Sequence, residues 1–140
     1  MRSILIVSCC ERESERLADA LEGAEFEVSI VNSADAARRH LEDRTVALTV
    51  IDIDLKCLPG GNGLDLARQL RSAYPGMRVV LASACHLSER QLERTDCGVC
   101  GFLPKPFGVD RAAAFIREKV DAAPSSSRRL WHAQNAQFSY

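Results

Sequence analysis

The chain has 140 residues, 46% of them hydrophobic, and a formal net charge of -1. That length fits one domain with a real core. The near-neutral balance, with basic residues spread along the chain, excludes a broad cationic field for nucleic acid, and no apolar run approaches the roughly 20 residues of a membrane span. Met1-Arg2-Ser3 is followed by Ile4-Leu5-Ile6-Val7 and then Ser8, too short an apolar stretch for a signal peptide. A cytoplasmic protein is therefore expected.

Short apolar runs alternate with amphipathic stretches along the chain. A first strand is expected over about 3–8. A helix follows over 11–21, with Leu17, Ala20 and Leu21 on one face and Gly23 as its stop. Residues 26–31 alternate as a second strand. Ser33 can cap a second helix running to about Glu42, with Ala36, Ala37 and Leu41 inward. Residues 46–51 are almost wholly apolar, as in a central strand buried on both faces. A loop containing Lys56, Cys57 and Gly60-Gly61-Asn62-Gly63 leads to a third helix over 64–74, with Leu64, Ala67 and Leu70 at helical spacing. Pro75-Gly76 ends that helix. A fourth strand is expected over 77–82, a weakly anchored fourth helix over 87–95, a fifth strand over 99–104 and a fifth helix over 109–120. Residues 1–121 form the expected domain. Residues 122–140 are a linker, Pro124-Ser125-Ser126-Ser127, and a tail in which Trp131, Gln134 and Phe138 recur at helical spacing.

Five strands alternating with five helices predict an α/β fold, a doubly wound five-stranded parallel sheet. In such sheets the carboxyl ends of the strands meet at one crevice, where ligands bind. Asp52, Ser83 and Lys105 all stand at predicted strand ends. An acid, a hydroxyl and an ammonium would therefore face one another. The first strand ends instead in Ser8-Cys9-Cys10.

Lys105-Pro106-Phe107 after a strand, Asp52 with the downstream Gly61-Asn62-Gly63-Leu64, and Ser83-Ala84 after the fourth strand resemble the CheY-like receiver domain of response regulators. The resemblance covers about residues 2–120 and implies a flavodoxin-like strand order. It also implies roles. Asp52 would accept a phosphoryl group, Ser83 would hydrogen-bond to it and Lys105 would pair with it. Phe102 would be the aromatic switch that turns inward on activation. The implied setting is two-component phosphorelay signalling by a stand-alone receiver, with a histidine kinase or another signalling protein as partner and no catalytic residues of an enzyme. A homodimer through the face of the fourth helix, fifth strand and fifth helix would follow family habit. A carboxylate attacking a phosphohistidine needs its own charge and the incoming charge offset, which a lysine does well as a point charge.

The chain departs from the family at two places. Receivers carry a pair of acids after the first strand that bind Mg2+, whereas here those positions are Ser8 and Cys9. Neither supplies the hard carboxylate oxygen that Mg2+ favours. Only Asp52, Asp54 and Glu11 remain as weak candidate ligands, so Mg2+ binding is expected to be weak and no other cofactor is expected. The loop after Asp52 is also longer than the common form and brings Lys56 near the site. Two other readings remain open. One is a pseudo-receiver that works by protein contact without phosphate. The other is a redox or metal sensor built on Cys9, Cys10, Cys57 and Cys85 beside His86. Cys97-Gly98-Val99-Cys100 lies away from the Asp52 crevice and reads as chance spacing.

Overall fold

The computed structural model describes residues 2–8, 11–22, 26–52, 63–83, 101–105 and 107–120. The expected fourth helix, all six cysteines, Asp54, Lys56 and the tail lie outside these residues. In chain order the described elements are β1 (Arg2–Val7), α1 (Glu11–Leu21), β2 (Phe26–Val31), α2 (Ala34–Asp43), β3 (Leu48–Asp52), α3 (Gly63–Ala73), β4 (Arg78–Ser83), β5 (Gly101–Pro104) and α4 (Val109–Val120). The label α4 belongs to the helix expected as the fifth.

All paired strands run parallel, in the order β2-β1-β3-β4-β5. Alternation along each strand divides the core in two. Leu5 and Val7 of β1, Ile51 of β3 and Val79 and Leu81 of β4 face one layer, with Ala34, Ala37 and Leu41 of α2 and Leu66, Ala67 and Leu70 of α3. Ile4 and Ile6, Leu48 and Val50, and Val80 and Ala82 face the other. There they meet Leu17, Ala18 and Leu21 of α1 and Ala112, Ala113, Phe115, Ile116 and Val120 of α4. Central strands buried on both faces explain why their sequence is almost wholly apolar rather than alternating.

Local chemistry sets the helix ends. Ser33 is extended, and its Oγ accepts from the Ala36 N–H at 3.0 Å, which caps α2 as expected. Arg38 on α2 donates to Asp35 at 2.8 Å and to Gln69 of α3 at 2.6 and 3.0 Å, tying the two helices. On the opposite face of the sheet, Arg117 of α4 donates to the Ala20 carbonyl of α1 at 2.7 Å.

The structure refines several expectations. Val46 and Ala47 precede β3, although the apolar run begins with them. Val46 is buried, and Ala47 makes single backbone hydrogen bonds to Ser3 and Arg78 ahead of the regular ladder. Ala36 is half-buried and Ala34 takes the inward position on α2, while Ala20 packs half-buried against the core beside the buried Ala18 on α1. On α3 Leu66 is buried with Ala67 and Leu70, while the side chain of Leu64 lies outside what is described.

Candidate functional site

Asp52 is the last residue of β3, in register with Ala82 of β4, and is 6% exposed. Its parity matches Leu48 and Val50, so its side chain emerges on the layer shared by α1 and α4. Ser8 follows β1 with the parity of Ile4 and Ile6 and emerges on the same side. Its backbone N–H extends the pairing with β2 by donating to the Val31 carbonyl at 3.0 Å. Lys105 follows β5 with the parity of Leu103, again on that side. Its backbone N–H donates to the Ser83 carbonyl at 2.8 Å, which fixes the start of its side chain at the end of β4.

These three placements converge on one carboxylate oxygen. The Lys105 ammonium hydrogen-bonds to Asp52 Oδ2, and Ser8 Oγ donates to the same atom at 3.4 Å. β4 separates β3 from β5, a gap of about 10 Å between strand axes. A lysine bridges it where a shorter cation would not. The Lys105 side chain is 14% exposed and that of Asp52 8%. The low local dielectric strengthens their attraction, and each would be costly to bury alone.

A fourth group joins from α1. Glu13 Oε1 stands 3.6 Å from Lys105 Nζ. A small cavity beside the pair is lined by Ser8, Glu13, Ser14, Asp52 and Lys105 on its polar side and by Ile6, Leu17, Ala82 and Phe107 among its apolar walls. Sequence reasoning missed Glu13, because a charge in the first turn of a helix reads as solvated surface. One signal points to it: helix side chains lean toward the N-terminus, and the N-terminus of α1 lies at the strand ends.

Of the sequence-predicted residues, Asp52, Ser8 and Lys105 come together. Ser83 is 1% exposed at the same rim, but its parity follows Val79 and Leu81, toward the other layer. Phe102 is 5% exposed and packs in that second layer. Glu11 opens α1, but its side chain, like Cys9 and Asp54, lies outside what is described.

A hard divalent cation does not fit the described donor set. Ser8 offers a hydroxyl, and the Asp52 oxygen nearest to it is bonded to an ammonium. Glu13 faces that same ammonium. Mg2+ prefers carboxylates and water in near-octahedral order. Among the described residues no group of three or more His, Cys, Asp or Glu side chains is placed to hold a metal ion.

Parallel strand order, strand-end acid and strand-end lysine together define a receiver-type signalling module. A family model described as the response regulator receiver domain matches residues 4–117. The chain belongs to that family, the receiver modules of two-component signalling. It is 28% identical over 123 residues to the photosynthetic apparatus regulatory protein RegA of Rhodobacter capsulatus, covering 88% of this chain and 65% of that protein. It is 30% identical over 114 residues to the transcriptional regulatory protein CusR of Escherichia coli K12, covering 81% and 49%. The chain thus spans about half to two thirds of the length of these relatives. Among solved structures, a CheY-like receiver domain protein from Methanospirillum hungatei JF-1 superposes with a TM-score of 0.76 at 24% identity, covering 86% of this chain and 94% of that one. A response regulator from Thermotoga maritima superposes at 0.75 with 20% identity, covering 87% and 99%. Both show the shared fold. Among the described residues no helix is long and apolar enough to cross a membrane.

Proposed function

We propose that this chain is a cytoplasmic receiver that takes a phosphoryl group on Asp52 from a histidine kinase and signals by protein contact rather than as an enzyme. The observation that carries the reading is the Lys105 ammonium on the Asp52 carboxylate at the meeting point of three strand ends. In the transfer an Asp52 oxygen forms a bond to phosphorus. The bond from phosphorus to the donor nitrogen breaks, and the electron pair stays with the departing imidazole, which takes up a proton. Lys105 offsets the charge gathering on the phosphoryl oxygens. Ser8 donates to the carboxylate where the family has an acid, and Ser83 supplies a hydroxyl at the rim of β4. Phe102, already buried, is the switch aromatic in its inward position. No step here runs through Mg2+, because the described donors do not suit it.

The test is intact mass after treatment with a small phosphodonor. The expected result is a single phosphoryl adduct that Asp52→Asn abolishes and Asp54→Asn retains. The reverse pattern overturns the assignment.

A second reading has its own support. The Asp52–Lys105 pair and inward Phe102 describe a site already near one arrangement. Binding a partner without phosphate, through the face of β5, α4 and the expected fourth helix, is consistent with that. A partner retained equally by wild type and Asp52→Ala supports this reading over the first.

A further inference from the structure

Glu13 is the group at this site that neither the strand-end pattern nor the proposed phosphotransfer uses. It stands on α1, its side chain 37% exposed, with Oε1 3.6 Å from Lys105 Nζ. Lys105 therefore faces two carboxylates, Asp52 from within and Glu13 from the mouth of the cavity. An incoming phosphoryl group must draw on the same ammonium. It brings negative charge to a place where Asp52, Glu13 and Lys105 already sum to one net negative charge. The described donors suit no divalent cation that would cancel it.

We propose that Glu13 is a specificity-determining residue of the Asp52 site: its carboxylate competes for Lys105 and sets a charge filter that penalises dianionic phosphodonors more than monoanionic ones. This rests on Asp52 being the acceptor. Coulomb's law gives the ordering, since the penalty scales with the charge the donor carries past Glu13. Glu13 is over a third exposed, so the effect is that of a partly solvated pair, about two- to fivefold in rate. It must also fade when salt shortens the screening length to about 3 Å near 1 M.

The experiment measures the initial rate of adduct formation by intact mass. Wild type, Glu13→Gln and Glu13→Asp are compared with acetyl phosphate, a dianion at neutral pH, and phosphoramidate, a monoanion. Each is run in dilute buffer and near 1 M salt. Glu13→Gln keeps the shape and removes the charge. It should accelerate modification by acetyl phosphate about two- to fivefold, accelerate phosphoramidate less, and lose its advantage in high salt. Glu13→Asp should stay nearer to wild type. A purely structural role would shift both donors alike and would not depend on salt. Equal effects on the two donors, no effect, or slower modification in Glu13→Gln overturns the proposal while leaving Asp52 as acceptor. If neither donor modifies any of the proteins, the acceptor reading itself falls, and the filter with it.

Discussion

Replacing Ser8 with aspartate asks directly whether a carboxylate at that position lets the site hold a divalent cation. Ser8 Oγ lies 3.4 Å from Asp52 Oδ2, so Ser8→Asp puts a second carboxylate beside the first. At about 4 Å and an effective dielectric near 20, two like charges repel by about 4 kcal/mol. Lys105, on the same oxygen, attracts the new charge by a slightly smaller amount from about 5 Å. The long serine hydrogen bond is also lost, at about 1 kcal/mol. The variant should therefore be less stable by about 2 kcal/mol without divalent cation, an upper figure because one acid can take up a proton instead. A divalent cation binding only the folded state adds about 2.7 kcal/mol at a hundredfold excess over its Kd, enough to reverse that loss. Urea unfolding midpoints with and without Mg2+ read both effects. Wild type should be indifferent to Mg2+, whereas Ser8→Asp should be weaker without it and recover with it. If Mg2+ raises the wild-type midpoint as much as that of the variant, the argument that the present donors exclude the ion is wrong.

Two further outcomes are expected. Lys105→Met leaves the 8% exposed Asp52 side chain without its ammonium, and denaturant titration should show a loss of about 2–3 kcal/mol, short of a fully buried pair. The same change should slow modification by a phosphodonor about tenfold or more, as expected when a charge-stabilising donor is lost. Ser33→Ala removes the hydrogen bond that caps α2, and calorimetry should show a loss of about 1 kcal/mol with the rate of modification at Asp52 unchanged.

Much of this molecule was legible because its periodicities are strong. The alternation of 26–31 and the spacing of 109–120 give β2 and α4 with the bounds observed. The strand-end positions of Asp52 and Lys105 followed from where apolar runs stop. What escaped depends on relations between distant segments. β3 starts later than its apolar run because Val46 is buried without belonging to the regular ladder, and burial is what an apolar run reports. Glu13 escaped because its meeting with Lys105 depends on how α1 lies over the strand ends. Ser83 ends β4 at the expected rim, where it is buried.

Strand parity has a mechanical consequence. The sheet is a partition between two separately filled compartments, one roofed by α1 and α4 and the other by α2 and α3. Leucines and valines stop at the partition, and little passes through it. At the upper rim, however, strand parity assigns Asp52 to one compartment and Ser83 to the other, with the Lys105 N–H fastened to the Ser83 carbonyl between them. A single bound group reaching from Asp52 to Ser83 would pull on both sides of the wall at once. An event a few ångströms wide would thereby be felt by Phe102 as well as by α1.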